Sequence, residues 1–434
     1  MLKFFAVLTL FIVQFANANE YLVEDLMEDN AKTVVFEDIK DKTANKMMNN
    51  IKKNLNLTLN IKISSDIKNI FNKIIDIDKI DEKRLKSVFL EKYDLSESDI
   101  VISGYVVDGI VKGDNALIVI LFDVKQNELF ESRYIFNKNN WKDISDIISD
   151  DILKIFIGEN TTYFNTKILY IGENNGKRSV FLTDFNIYND TQITDDKDLV
   201  VTPIFSKINA NEIYYIKLTE DGSFLFRYDI YNDIEEKIEI GDSVFSPNFN
   251  PSLNEIAYSK SVDGITNIYK YNFDTKENLK ITKGNAIDTS PNYSPDGKNI
   301  VFTSDRSGVK KLYIANVDGS NIRGITKNNS GSYDNPSWSP SGDLIAFIKQ
   351  KEKRFHIGLI TVDDANEKIL INSYLIEGLR WSPDGRYLMY SKQENFDDKI
   401  AIYTFDLTTG VEYKVPLPSN ENIIDPDWMI KYNY

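Results

Sequence analysis

The feature that most constrains the fold is a repeat of about 44 residues in the second part of the chain. The segments "NYSPDGKNIVFTS" and "RWSPDGRYLMYSK" share a tetrapeptide, at Ser294–Gly297 and Ser382–Gly385, and "SWSPSGDLIAFIK" has a weaker copy at Ser339–Gly342. Large aromatic residues recur in register, with spacings of 44, 44, 45, 43 and 47: Phe205, Phe249, Tyr293, Trp338, Trp381 and Trp428. A period in the mid-forties made of short strands is typical of a β-propeller blade.

The number of blades follows from where the repeat begins and ends. The clearest copy predicts four strands, "SPNYS", "KNIVFTS", "KKLYIANV" and "IRGIT", separated by turns. The unit of Trp428 has room for only one strand, and "KILYIGE" (167–173) and "RSVFLTDF" (178–185) supply second- and third-strand segments without a first. We therefore predict an all-β six-bladed β-propeller over residues 166–434, closed by pairing of its N- and C-terminal strands.

The repeated residues have structural interpretations. Ser-Pro-Asp-Gly fits a type I turn position by position, and recurrence once per blade favours a turn over a catalytic group, which would be needed once. The aromatic residues are predicted to pack between neighbouring sheets. Five prolines begin the innermost strands, whose free edge faces the channel and tolerates a missing N–H: Pro203, Pro247, Pro291, Pro336 and Pro426.

The loops that lead into the blades are the predicted recognition surface. They are "GDSVFS" (241–246), "KGNAIDTS" (283–290), "KNNSGSYDN" (327–335) and "SYLIEG" (373–378), the longest and least repetitive connections. The turn "SDRSG" (304–308) belongs to the same face, and Asp305 and Arg306 are expected to form a surface ion pair or to orient the hairpin. Variation on a rigid frame is where recognition usually occurs.

The first part of the chain has a different character. All eleven prolines lie at or beyond Pro203, and seventeen of the twenty glycines lie at or beyond Gly158, which indicates a domain boundary. Two stripes have helical spacing, Ala44 to Leu55 and Trp141 to Ile155. Between them, "DIVISGYV", "ALIVILFDV" and "ELFESRYIF" are predicted strands. We predict a small α/β N-terminal domain over residues 33–160.

The N-terminus has the pattern of an export signal. Lys3, an apolar run over 4–13 and Ala16-Asn17-Ala18 predict a signal peptide over residues 1–18, with a retained anchor as the alternative. Residues 19–32 form an acidic segment expected to be flexible, or to become ordered when a partner binds. No later stretch is apolar enough to cross a membrane, and without cysteine no lipid attachment is expected.

Composition excludes several function classes. The net charge of −15 makes nucleic acid a poor ligand, although it suits a basic protein partner as well as simple solubility. The single histidine, His356, is a predicted strand residue, and the chain has neither cysteine nor a G-x-S-x-G, P-loop or G-x-G-x-x-G motif. "DIDKIDE" (76–82) lacks the glycine and final glutamate of a calcium loop. We expect no catalytic residue, cofactor or metal, while a glycosidase with two channel carboxylates stays open.

This order of features resembles the TolB family of the Tol-Pal system of Gram-negative bacteria. The resemblance is carried by "NYSPDGKNIVFTSDRSGVKKLYIANVDGSNIRGIT" together with the signal, the acidic segment and the α/β domain. It implies a monomeric, non-enzymatic periplasmic scaffold that acts in envelope integrity and in outer-membrane constriction at cell division. The alternative is a secreted propeller enzyme, glycosidase or peptidase-like, with channel carboxylates.

The resemblance also implies two partners. A Pal-like outer-membrane lipoprotein would bind the propeller at residues near the starts of the innermost strands: Ser243, Ser246, Thr289, Ser290, Asp334, Asn335, Glu377 and Arg380. The chain departs from the pattern in the fifth complete unit, where Leu379 replaces proline. A TolA-like inner-membrane protein would bind the acidic segment: Glu20, Leu22, Val23, Glu24, Leu26 and Met27.

Overall fold

The structure is a computed structural model with two compact units, divided after Phe164. It describes residues 32–36, 41–58, 61–64, 100–108, 115–123, 128–157, 164, 166–184, 190–195, 199–326, 331–408, 410–415, 417 and 422–430. The predicted signal peptide and the predicted TolA-like contact residues lie outside the described residues, as does the acidic cluster at 76–82.

The N-terminal unit is an α/β domain, as predicted. Its described elements are β1 (Lys32–Phe36), α1 (Lys42–Thr58), β2 (Ile61–Ser64), β3 (Ile100–Asp108), β4 (Asn115–Asp123), β5 (Glu128–Phe136) and α2 (Trp141–Ile157). The strands form one sheet in the order β2-β1-β3-β4-β5, in which β1 pairs in parallel with β2 and β3, and β3 to β5 form an antiparallel meander.

The two helices pack through a polar seam that the hydrophobic pattern did not predict. Asn50 of α1 donates from Nδ2 to Ser145 Oγ at 2.7 Å and to Asp146 Oδ1 at 3.0 Å, and Asn54 reaches the same carboxylate at 2.9 Å. The apolar stripe of α1 is buried as predicted, but Ile155 of α2 is exposed. The prediction for α2 was therefore wrong at Ile155, and the polar residues that contact α1 were not part of the predicted stripe.

The propeller consists of six four-stranded antiparallel sheets within the described residues. Blade 1 contains β9 (Leu199–Phe205), β10 (Glu212–Thr219), β11 (Gly222–Asp229) and β12 (Ile234–Lys237). Blade 2 contains β13 (Val244–Phe249), β14 (Glu255–Val262), β15 (Ile265–Asn272) and β16 (Asn278–Lys280). Blade 3 contains β17 (Asp288–Tyr293), β18 (Asn299–Ser304), β19 (Lys311–Asn316) and β20 (Arg323–Gly324).

The remaining blades include the closing one. Blade 4 contains β21 (Ser332–Trp338), β22 (Leu344–Lys351), β23 (Arg354–Thr361) and β24 (Glu367–Ser373). Blade 5 contains β25 (Leu375–Trp381), β26 (Tyr387–Gln393), β27 (Ala401–Asp406) and β28 (Glu412–Lys414). Blade 6 combines the C-terminal β29 (Asn422–Ile430) with β6 (Thr166–Asn174), β7 (Lys177–Asp184) and β8 (Thr191–Gln192).

Closure of the ring occurs as predicted, by pairing of the last strand with the first. β29 and β6 are antiparallel, and Trp428 Nε1 donates to Thr166 Oγ1 at 2.7 Å. Because the first strand of blade 6 comes from the opposite end of the propeller sequence, its loss would expose the edge of β6 and leave the sheet open.

The six aromatic residues in register are all buried between sheets, as predicted. The residue after a blade proline also links neighbouring blades. Asn248 Oδ1 accepts from the backbone N–H of Tyr293 at 2.9 Å, and Asn292 Oδ1 accepts from that of Trp338 at 2.8 Å. Asp427 Oδ2 accepts from the N–H of Phe205 at 2.8 Å. Each of these blades therefore fixes the backbone at the aromatic residue of the next.

The Ser-Pro-Asp-Gly segments are turns. Gly297 N–H donates to Ser294 O at 2.9 Å, and Gly385 N–H donates to Ser382 O at 3.0 Å, which is the i to i+3 bond of a β-turn. Asp296 Oδ1 accepts from Ser294 Oγ at 2.6 Å, and this bond lowers the pKa of Asp296. The turn is thus held by its own side chains and needs no ligand to explain it.

Candidate partner-binding face

The propeller has two unlike ends, which we call the loop face and the turn face. The loop face carries the loops leading into the innermost strands and the hairpins between second and third strands. In blade 3, for example, Asp288 at the start of β17 pairs with Ser304 at the end of β18. The turn face carries the Ser-Pro-Asp-Gly turns at the other end of the same strands.

A ring of β-bulges lies where each innermost strand leaves the loop face. In every blade the pairing register shifts at this point. The residue that opens each bulge has a positive φ, between 47° and 65°: Thr202, Ser246, Ser290, Asn335, Gly378 and Asp425. Such a φ is unfavourable for residues other than glycine, and bulges re-aim side chains and are over-represented beside functional sites.

Three of the predicted partner residues belong to this bulge ring, namely Ser246, Ser290 and Asn335. Sequence reasoning missed Thr202 and Asp425, although the same rule of one residue before a proline would have found both. Ser243 lies three residues before Ser246, also at positive φ, and its carbonyl accepts the N–H of Ser261 at 3.0 Å. It therefore lies outside the bulge ring.

Asp334 joins the predicted residues of blades 3 and 4. Its Oδ1 accepts from Ser290 Oγ at 3.3 Å and from the Asn335 N–H at 2.8 Å, and its Oδ2 pairs with Lys310 Nζ at 2.7 Å. Thr289 pairs in register with Thr303, whose Oγ1 reaches Asp334 at 3.4 Å. The structure thus joins Ser290, Asp334 and Asn335 in one polar network across a blade boundary, and Thr289 lies next to it in β17.

The predicted residues of blade 5 lie against blade 6. Arg380 Nε pairs with Asp427 Oδ1 at 3.3 Å. Burial and the neighbouring carboxylate of Asp425 raise the pKa of Glu377 to about 7. A Cβ at Gly378 would lie 2.8 Å from Pro426 Cδ, so the two innermost strands approach closely here.

The loop face also carries exposed apolar side chains that sequence reasoning did not single out. They stand in its loops and hairpins: Phe245, Val262, Ile287, Val309, Tyr374 and Phe396. Phe396 is 72% exposed and meets Tyr374 edge-on, with ring centroids 5.8 Å apart. The loop lengths gave the only sequence signal for this surface, since single apolar residues in polar loops form no periodic pattern.

The turn "SDRSG" orients its hairpin. Arg306 donates from Nη2 to both oxygens of the buried Asp288 at 2.9 and 3.1 Å, and its guanidinium lies over Phe302. Asp305 Oδ1 accepts the N–H of Ile287 at 2.8 Å. The second of the two predicted roles is therefore correct, and the hairpin is a rigid part of the loop face.

The enzyme candidates were also located. His356 is a half-buried residue of β23, and burial together with Lys349 lowers its pKa. Among the described residues, no group of three or more His, Cys, Asp or Glu side chains could hold a metal ion. No helix among them is long and apolar enough to cross a membrane.

Comparisons with known proteins agree with this architecture. The profile of the PD40 family, described as the TolB beta propeller domain, matches residues 156–431. The Tol-Pal system protein TolB of Gluconobacter oxydans is 34% identical over 319 residues, 71% of this chain and 70% of that protein. The protein of the same name from Rickettsia prowazekii is 36% identical over 307 residues, covering 66% and 68%. The crystal structure of TolB from Acinetobacter baumannii superposes with a TM-score of 0.80 at 18% identity, covering 92% of this chain and 97% of that one.

Proposed function

The chain belongs to the TolB family of Tol-Pal system proteins, and from that premise we propose that it is a non-enzymatic periplasmic scaffold. Its propeller binds a Pal-like outer-membrane lipoprotein, and its acidic N-terminal segment binds a TolA-like inner-membrane protein. The scaffold thereby couples the two membranes in envelope integrity and in outer-membrane constriction at cell division.

The observation that carries the proposal is the bulge ring on the loop face. Five of its six members are not glycine, although each holds a backbone angle that glycine adopts at lower cost. Backbone strain of this kind clusters at ligand contacts, which supports the ring as the place where the partner binds. Exposed apolar side chains on the same face add the desolvation energy that a protein partner needs.

The test is capture of partners by the full chain from envelope extract of its own bacterium. We expect a Pal-like lipoprotein and a TolA-like protein, and recovery of neither would refute the proposal. Deletion of residues 19–30 should remove the TolA-like protein and leave the lipoprotein bound. Loss of both partners, or of neither, would contradict this division between the segment and the propeller.

The enzyme alternative is tested on the same preparation. A glycosidase would need two channel carboxylates, and Glu377 with Asp425 are the natural pair to examine because the pKa of Glu377, raised by burial, lies near 7. We expect no turnover of glycan or peptide substrates. Turnover that disappears in Glu377→Gln would overturn the non-enzymatic assignment.

A further inference from the structure

The seam between blades 5 and 6 holds buried polar groups beside apolar contacts such as that of Tyr387 with Trp428, whose ring centroids lie 6.4 Å apart. Apolar clusters of described residues fill the seams between blades 1 and 2, 2 and 3, 3 and 4, 4 and 5, and 6 and 1. The seam between blades 5 and 6 includes the hydroxyls of Ser391 and Thr404, which are fully buried and have no hydrogen-bond partner among the described residues. A buried hydroxyl without a partner is costly, so its presence calls for an explanation.

Glu377 lies above one of these hydroxyls. Glu377 of β25 and Ser391 of β26 are register partners, so their side chains point to the same face of the sheet. The alternate residues Ile376 and Tyr390 pack in the cluster shared with blade 4. Because side chains alternate along a strand, Glu377 and Ser391 face blade 6.

The carboxylate of Glu377 is only weakly compensated by charge. Within the described part of the chain it has neither a hydrogen bond nor an ion pair. The groups of blade 6 that act on it are Asp425, Glu173 and Arg178, and Arg178 Nε is already engaged by Glu173 at 2.8 Å. Arg380 of its own strand is engaged by Asp427. Both arginines make direct contacts to other carboxylates, and burial with the two acidic neighbours outweighs the effect of Arg178 on the pKa of Glu377.

An exposed aromatic pair stands at the same end of blade 5. Tyr374 precedes β25, and Phe396 lies in the hairpin that joins β26 to β27. Such a pair can cover the aliphatic stem of a long cationic side chain, or an apolar residue next to it.

We propose that the top of the seam between blades 5 and 6 is a subsite for one lysine or arginine side chain of the Pal-like partner. Its head group is placed on the Glu377 carboxylate, with Ser391 Oγ beneath that carboxylate in the seam and an adjoining apolar residue of the partner on Tyr374 and Phe396. The inference rests on the proposed function. An organic cation fits better than a metal ion, because no described cluster of acidic or histidine side chains could hold a metal.

The subsite makes binding depend on pH in a defined direction. In the free protein, burial and Asp425 raise the pKa of Glu377 to about 7, so the carboxyl is protonated at pH 6 and ionised at pH 8. A partner cation favours the ionised form, and binding below pH 7 must therefore release the proton. For one linked proton, the affinity at pH 8 exceeds that at pH 6 by about tenfold.

The test is calorimetric titration of the full chain with its Pal-like lipoprotein, prepared without the lipid anchor, at pH 6 and pH 8. We expect Glu377→Gln to weaken binding at pH 8 by about tenfold and to abolish the dependence on pH. Ser391→Ala should weaken it by about two- to threefold. The matched control is Glu277→Gln, which makes the same charge change in an exposed turn of blade 2 on the turn face and should bind like wild type.

A second measurement needs no variant. Carboxyl NMR of wild-type protein should show the pKa of Glu377 falling when the lipoprotein binds. If the lipoprotein binds but neither pH nor Glu377→Gln affects its affinity, the subsite is wrong and the proposed function stands. If the wild-type chain does not bind the lipoprotein at all, the proposed function fails and the subsite fails with it.

Discussion

The loop face and the turn face of the propeller are built from the same strands, yet positive φ values occur at different kinds of position on them. On the turn face, positive φ values fall in turns outside the strands, on glycines such as Gly297 and Gly385 and on four other residues: Asp233, Lys276, Asn321 and Ala365. On the loop face, the bulge ring places them inside paired strands, on serine, threonine, asparagine or aspartate at five positions and on Gly378 at the sixth. The repeated turns are explained by folding alone. The bulge ring carries side chains at a conformational cost within its strands, and we attribute that cost to partner binding.

The largest expected effect is on the one glycine of the bulge ring. Gly378→Ala should lower the free energy of unfolding by about 3 kcal/mol, because the new Cβ meets both a left-handed φ and the ring of Pro426. Gly410→Ala is the control, since Gly410 has a similar φ but no atom within 4 Å of its Cβ position, and it should cost about 1 kcal/mol. Denaturant unfolding measures both, and equal costs would show that the contact between blades 5 and 6 is not tight.

The second prediction concerns the pH dependence of stability. The pKa of Glu377 is raised by burial from 4.5 to about 7, so between these values the folded chain holds a proton that the unfolded chain has released. Stability contributed by this group therefore falls as pH rises. Glu377→Gln should stabilise the protein by about 2 kcal/mol at pH 8 and leave stability at pH 5 unchanged.

The control for this effect is again Glu277→Gln, which should change stability at neither pH. Glu377 is expected to destabilise the free protein at neutral pH, and we propose that it binds a partner. It is thus an example of the trade-off between stability and function. If Glu377→Gln were neutral at pH 8, the carboxyl would have a counter-charge in solution, and the loop face would be less strained than we infer.

The fold was predictable because each blade repeats the same pattern of strands, turn residues and aromatic positions. Period, turn residues and the place of Trp428 were enough to predict six blades and the closing strand pair. The second helix was less predictable, since hydrophobic periodicity cannot show that Asn50 and Asn54 face Asp146 across a buried seam. Polar contacts between distant segments leave no periodic trace in a single chain.

The loop face was predictable only as a location. The residue before each proline identified half of the bulge ring. The positive φ at these residues arises from strand pairing, which the sequence pattern does not predict. The unpaired state of Glu377 depends on two contacts made elsewhere, between Arg178 and Glu173 and between Arg380 and Asp427. Sequence reasoning had no access to these contacts, and the aromatic pair of blade 5 was missed for the same reason.

The smallest expected effect separates the two faces most directly. Asp296→Ala on the turn face removes hydrogen bonds from Ser294 and Lys298 and should cost about 0.5 kcal/mol, with affinity for the Pal-like lipoprotein unchanged. Asp334→Ala on the loop face removes the contacts to Ser290 and Lys310, and because those groups are partly exposed it should cost a similar amount. Its affinity for the lipoprotein should nevertheless fall about tenfold. Unfolding curves measure the stability of both variants, and titrations with the lipoprotein measure their affinity. Equal losses of affinity would show that the two faces do not differ in partner binding.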